Sequence, residues 1–400
     1  MGENTLSRWR RVAALGAAVV LAGTVLVGCT IDSSSEAAEQ EATVEEVKDE
    51  PAEISVEDGA EEVEPGVPVT VTAGKGLKEV TMTNDEGKVV ESKLNDDKTE
   101  WTTDEPLGYG REYTVEATTE TGKTSQASFT TASPSGQTYV SVGPLDGEEV
   151  GVAQAVTFYF DYAPSDRQAV IDAITVETSN DTEGAFFWLD SNQLAWRPKE
   201  YWEPGTEVTV NADAYGRDFG DGIFGAENTS SSFTIGDDVR TIVDNNTKKL
   251  TVYKDDEEIN SFPIALGEDG SFDTPNGLYV VGDRADHMRM DSRTYGLSLE
   301  AGGYVTDVDY ATQLSWSGIY VHSAPWAIGA IGNYNTSHGC VNAKPDDALW
   351  YMNNVKRGDP VEIKNTEGET LSGYDGLGYW NIDWDTWKHG NADGSHDETW

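Results

Sequence analysis

Cys340 is the residue of this 400-residue chain best suited to covalent chemistry, and two histidines stand near it in sequence, His322 and His338. A thiol attacks a carbonyl carbon as thiolate. Free cysteine, with a pKa of about 8.5, is only slightly ionised at neutral pH, so a base must be supplied. His322 ends the strand-like run Gly318-Ile319-Tyr320-Val321, a geometry that can fix an imidazole ring. The segment that follows carries Gly329 and Gly332 and is long enough to fold Cys340 back beside it. His338 stands two residues before the cysteine, a spacing awkward for direct pairing. His322 is therefore read as the base and His338 as a support that orders the loop. Gly339 lets a substrate approach the backbone closely, and the consecutive N–H groups at Gly339 and Cys340 offer an oxyanion hole, each donor worth roughly 10²–10³ in kcat. Spacing alone leaves open an accidental Cys–His pair with a buried filler thiol.

The elements around these residues are mainly β. From Gly66 onward short alternating runs are separated by turn residues: Val67–Thr72, Glu112–Ala117 and Ser125–Thr130, with Asn84-Asp85-Glu86-Gly87 as a hairpin turn. Residues 66–133 are read as one immunoglobulin-like sandwich. Residues 137–236, with strands at Val156–Phe160 and Val208–Ala212, are read as a second, both lacking the Cys-Trp-Cys signature of antibody domains. A third unit, 237–366, alternates again at Arg240–Val243 and Leu250–Tyr253. It contains one convincing helix, expected from Pro345 to Arg357 with Gly358 as its stop. In the extension 367–400, Trp380, Trp384 and Trp387 fall at i, i+4, i+7, a stripe expected to pack on a neighbouring domain. Asp218, Asp221 and Gly222 form an oxygen-rich turn that could hold a hard cation such as Ca²⁺, though an ordinary Asp-Gly turn explains it as well.

Composition narrows the function classes. With 27 Lys+Arg against 72 Asp+Glu the formal charge is −45, which excludes a reader of nucleic acid backbone. Arg8, Arg10 and Arg11 followed by the apolar stretch Val12 to Val27 describe a secretory signal over residues 1–28. Leu26-Val27-Gly28-Cys29 resembles a bacterial lipobox, which would make Cys29 the lipidated N-terminus; an uncleaved membrane anchor is the other reading. Either way the remainder lies outside the cytoplasm. If Cys29 carries lipid, Cys340 is the only remaining thiol of an exported protein. Residues 29–65 read as an acidic disordered tether, since residues 30–66 hold 14 carboxylates and one lysine. At full extension such a segment reaches about 120 Å.

His322 and, downstream, Ser337-His338-Gly339-Cys340-Val341-Asn342 resemble the signature of the L,D-transpeptidase catalytic domain, the YkuD family. Further likeness to its actinobacterial lipoprotein members lies in His287–Ser292, Gly303-Tyr304, His322-Ser323-Ala324-Pro325-Trp326, Asp375–Asn381 and the two preceding sandwiches. The resemblance implies Cys340 as nucleophile, His322 as base and the Ser323 carbonyl orienting the imidazole. It implies that the Gly339 and Cys340 amides, with the Tyr304 hydroxyl, hold the oxyanion. Asn342, Trp326, Met288, Ser317 and Gly318 would line the substrate cleft. Met290 is as near in sequence as Met288.

The implied substrate is the stem peptide of peptidoglycan, joined 3→3 through a Cys thioester with loss of D-Ala, without cofactor. Carbapenems would acylate Cys340. The expected location is the outer face of the cytoplasmic membrane, lipid-anchored and extending into the wall. Hydrolysis of the same thioester, an L,D-carboxypeptidase, and a non-catalytic wall-binding or adhesion lipoprotein are the alternatives. An intact Cys340, His322, Gly339 and Asn342 speak against the last.

Overall fold

The computed structural model describes residues 49–395. The signal segment, Cys29 and the tether up to residue 48 lie outside the described residues.

Strand periodicity builds the first sandwich. Along Glu112–Thr119 the alternate residues Tyr113, Val115, Ala117 and Thr119 are buried, as a half-buried strand requires. This strand lies between Leu77–Asn84 and Thr124–Thr130, and the three face a four-stranded sheet that includes Thr70–Thr72 and Glu100–Thr103. The turn expected at Asn84–Gly87 is present: Gly87 has φ +80° and its amide donates to the Asn84 carbonyl at 2.9 Å. One expectation is corrected here. The acidic segment does not remain a tether to residue 65, because Glu53–Ile54 pairs antiparallel with Thr72–Val71 and Ala52 is buried in the sandwich core. The few apolar residues of the segment, Ala52, Ile54, Val56, Ala60 and Val63, all pack on that core. They offset the cost of ordering the chain that carries the carboxylates.

The second sandwich sets Val140–Gly143, Val156–Phe160, Gln193–Pro198 and Gly184–Trp188 against Glu149–Val150, Thr229–Ile235, Glu207–Ala212 and Ile174–Thr178. Phe158, Trp188, Leu194, Val210 and Phe233 are in its core. The turn considered for a cation folds on itself. Asp218 accepts the Gly220 amide at 2.8 Å, and among the described residues no three Asp, Glu, His or Cys side chains converge as a metal site. The bond from Gly220 to Asp218 forms an Asx turn, the other of the two readings given for Asp218, Asp221 and Gly222.

The third unit has two sheets. A five-stranded sheet runs in the order Glu257–Pro263, Lys249–Lys254, Val239–Asp244, Pro360–Lys364, Gly277–Val280; a four-stranded one runs Arg284–Asp291, Val305–Gln313, Tyr320–Ser323, Val341–Ala343. Leu250, Val252, Val321, Val341 and Ile363 fill the core between them. The helix is Pro345–Asn354, packed on strands Val305–Gln313 and Tyr320–Ser323. It stops earlier than its sequence signals suggest. Val355 is extended and 2% exposed, drawn into the core, while Gly358, with φ +91°, abuts Gly151 and Gln154 of the second sandwich. The glycine serves the domain junction rather than the helix end.

The tryptophan stripe does pack on a neighbour, though as two short turns rather than one helix: Tyr379–Asn381 is 3-10 and Trp384–Trp387 is a single α turn capped by Asp383. Arg197 of the second sandwich is held among the rings of Trp380, Trp384 and Trp387, at 4.4, 5.4 and 4.5 Å from their centroids. Trp387 stacks on Phe187 and donates its indole N–H to the Ala185 carbonyl.

Candidate active site

The candidate base and nucleophile sit on adjacent parallel strands. Val321 pairs with Val341, His322 with Asn342 and Ser323 with Ala343, which places Cys340 level with Tyr320. Side chains alternate across a sheet, so Tyr320, His322, Cys340 and Asn342 share one face and Cys340 lies diagonally next to His322. Parallel pairing needs a crossover, and residues 324–340 supply it. That crossover is pinned along its length. Gly332 donates to the Ile264 carbonyl, and Thr336 and Ser337 donate to that of Leu266. Asn335 bridges to Asn245 and Asp269.

The turn into the cysteine is tightly constrained. Gly339 has φ +119°, and a Cβ there would lie 2.9 Å from the Ile319 side chain, so this position requires glycine. Its carbonyl accepts from the Thr274 hydroxyl at 2.7 Å. Ser337 donates its hydroxyl to the Cys340 carbonyl at 2.6 Å and accepts the Gly339 amide at 3.1 Å. That second bond corrects the expected oxyanion hole. The Gly339 N–H is already committed, leaving the Cys340 amide and the Tyr304 hydroxyl as the candidate donors.

Cys340 is 3% exposed, yet it lines a cleft of about 220 Å³ with Met290, Tyr304, Thr306, His322, Trp326, Thr336, Ser337, His338 and Asn342. A larger cavity, about 490 Å³, lies between the second sandwich and the third unit and is lined by Glu148, Glu149, Arg284, Lys356 and Arg357. It is lined by no Cys, Ser, Thr or His, whereas the smaller cleft holds both the thiol and the imidazole. The thiol donates to the Gly318 carbonyl, with sulfur and oxygen 3.4 Å apart. Burial pushes the Cys340 thiol up to about 11, opposed by the Tyr320 amide and the Tyr304 hydroxyl. Burial likewise lowers the His322 pKa, opposed by its bond to the Ser323 carbonyl. Both groups are thus neutral at rest, and the thiolate forms as the base takes the proton. The imidazole is set for this. Nδ1 lies 3.0 Å from the Ser323 carbonyl oxygen, which only accepts, so Nδ1 carries the ring proton and Nε2 keeps its lone pair.

The other expected residues divide. Trp326 is exposed with its ring centroid 6.0 Å from that of His322, and lines the cleft. Asn342 lines it too, and its Oδ1, although buried, has no hydrogen-bond partner. A buried unpaired acceptor is costly. His338 packs between Phe272 and Tyr304 and hydrogen-bonds through Nε2 to the Gly302 carbonyl, tying the Cys340 loop to the facing turn. Met288 does not line the cleft. Its neighbour Met290 does, while Met288 packs against the cluster of Met290, Val308, Tyr320 and Cys340. Ser317 turns its hydroxyl to Ser315 instead of the cleft, and Gly318 contributes its carbonyl. Sequence reading missed Thr306, Thr336 and the double role of Ser337. A hydroxyl three residues before a nucleophile was the available signal for Ser337.

Comparison with known proteins agrees with this geometry. The bacterial Ig domain family matches residues 60–218, a stretch that crosses both sandwiches, and the L,D-transpeptidase catalytic domain family matches residues 238–363. L,D-transpeptidase 2 of Mycobacterium tuberculosis is 50% identical over 343 residues, covering 84% of each chain. L,D-transpeptidase 5 of the same species is 34% identical over 397 residues, 96% of this chain and 85% of that one. Among solved structures, L,D-transpeptidase LdtMt1 in complex with imipenem superposes with a TM-score of 0.50 at 37% identity, covering 56% of this chain and 98% of the other. Identity at this level over sandwiches and catalytic unit together, with the cysteine and histidine brought to one cleft, places the chain in the L,D-transpeptidase family.

Proposed function

We propose that this L,D-transpeptidase joins peptidoglycan stem peptides through a Cys340 thioester. As the Cys340 sulfur bonds to the carbonyl carbon of the third stem residue, its proton passes to His322 Nε2. The tetrahedral oxyanion is met by the Cys340 amide and the Tyr304 hydroxyl. Its collapse breaks the peptide bond, His322 returns the proton to the leaving amine, and D-Ala departs. The side-chain amine of a neighbouring stem then attacks the thioester, giving its proton to His322 and releasing the thiol with a 3→3 cross-link formed. Water in place of that amine would make the enzyme a carboxypeptidase.

One observation carries this reading: Cys340, His322 and Asn342 line the same cleft. The test is intact-mass spectrometry of residues 49–400 after exposure to imipenem. A covalent adduct on the parent protein and none on Cys340→Ala are expected, and an unmodified parent would refute the nucleophile. Products from a stem tetrapeptide with and without an amine acceptor then separate cross-linking from hydrolysis.

We further infer that Cys29 is lipidated and that the acidic stretch before residue 49 holds the enzyme off the outer face of the cytoplasmic membrane. The basic n-region, the apolar run and Leu26-Val27-Gly28-Cys29 support this. Removing residues 32–48 should leave turnover of soluble tetrapeptide intact and reduce wall cross-linking in cells. Equal cross-linking would reject the reach.

A further inference from the structure

The loop of residues 314–318 joins strand Val305–Gln313 to strand Tyr320–Ser323 and carries the Gly318 carbonyl that faces the thiol. Two of its amides, Trp316 and Ser317, donate to the two oxygens of Asp375, at 2.7 and 2.9 Å. Asp375 comes from the C-terminal extension and is 3% exposed. A carboxylate so deeply buried needs compensation, and charge-assisted bonds of this kind are roughly twice as strong as neutral ones. The next residue, Gly376, lies flat beneath the Trp316 indole; a Cβ there would fall 2.3 Å from the ring. On Trp316 also stacks Tyr159 of the second sandwich, with centroids 6.2 Å apart. From inside the turn, Ser315 Oγ accepts the Ile319 amide at 2.8 Å and the Ser317 hydroxyl at 3.0 Å. Gly318 itself has φ +100°, and a Cβ would collide with the Tyr295 ring at 2.7 Å. The loop is therefore clamped by groups that belong to neither catalytic strand, and it delivers one carbonyl to the sulfur.

We propose that Asp375 is a positioning residue for acylation: by holding the Trp316 and Ser317 amides it sets the Gly318 carbonyl against Cys340, and so fixes the direction in which the thiol waits for substrate. The inference rests on Cys340 being the nucleophile. The ionisable groups around the sulfur are His322 and Tyr320 from one strand and Tyr304 from the facing turn, with the Tyr295 hydroxyl bonded to that of Tyr320 and His338 two residues along the loop. None of these is altered in the variants below.

Full-length wild type, Asp375→Asn, Ser315→Ala and Cys340→Ala are reacted briefly with imipenem across a pH series from about 6 to about 12, with adduct growth followed by intact mass and each variant's thermal melt recorded alongside. In Asp375→Asn one carboxylate oxygen becomes an N–H donor facing an N–H, and the loop is released on that side. Acylation is expected to slow at least about tenfold. The midpoint of the pH profile should also move down, because a thiol that loses its carbonyl acceptor gives up its proton more readily. Unchanged rate and midpoint would overturn the proposal. So would a slower rate with an unmoved midpoint that merely tracks the folded fraction. Should Asp375→Asn lack a cooperative melt, Ser315→Ala, which loosens the same turn from within, decides by the same two readouts. A wild type that forms no adduct refutes the nucleophile assignment instead, an outcome separate from either of these.

Discussion

His322 and His338 share a cleft but not a job. The first is buried with its tautomer fixed by a carbonyl, and the second is exposed and braces the Cys340 loop against Gly302. His322→Ala should lower the imipenem acylation rate by roughly 10²–10⁴, and His338→Ala by less than about tenfold. Stopped-flow quenching of tryptophan fluorescence measures both, and the reverse order would exchange their roles. How much of this was legible depended on distance in sequence. Cys340, His322, Ser323 and Asn342 lie in or beside one short signature, and their types state their chemistry. The choice between Met288 and Met290 could not be read from sequence. Both point to the same side of strand Arg284–Asp291, and only the way that strand folds over the cleft sends Met290 inward. Nor does an aspartate in the C-terminal extension advertise that it grips a loop at the catalytic thiol. Its neighbours in space come from another part of the chain.

Strands and their turns were readable because alternation and turn residues are local properties. The ends of elements were less so. Lys356, Arg357 and Gly358 read as the last turn of a helix, but burial of Val355 and contact of Gly358 with the second sandwich end it at Asn354. The acidic run misled in the same way, since its scattered apolar residues matter only once a sandwich edge is present to receive them. This gives an element-scale prediction. A protein starting at residue 66 should lose the strand Glu53–Ile54 and expose part of the first sandwich core, destabilising that sandwich by about 2 kcal/mol relative to one starting at residue 49. Calorimetry should show its melt shifted down, with imipenem acylation unaffected. Equal melting of the two forms would show that the segment adds nothing.

At the scale of the whole molecule the junction between second sandwich and catalytic unit holds a buried acid. Asp359 is fully buried, accepts the Lys356 amide and lies 3.3 Å from the Lys356 ammonium, with Gly151 of the sandwich pressed against it. Burial raises its pKa from 3.8 to about 7, with Lys356 opposing. A carboxyl whose folded pKa is raised favours the fold while protonated. Its contribution is complete below about pH 4 and is lost as pH rises to about 7, amounting to at most about 4 kcal/mol. The wild-type melting temperature should therefore decline over that window by more than in Asp359→Asn. Parallel pH profiles for the two proteins would show that this acid does not titrate against folding.

The path of the chain has a further result. After the catalytic unit is complete the polypeptide returns to the second sandwich, where Gly390 accepts the Trp188 amide, Asn391 bonds both Arg167 and the Trp188 carbonyl, and Ala392 packs on the core. The second sandwich is thus completed by residues 390–392. That sandwich therefore keeps an open seam until the segment at residues 390–392 docks on it. A nick just before residue 390 would be felt first in the second sandwich, not in the catalytic cleft.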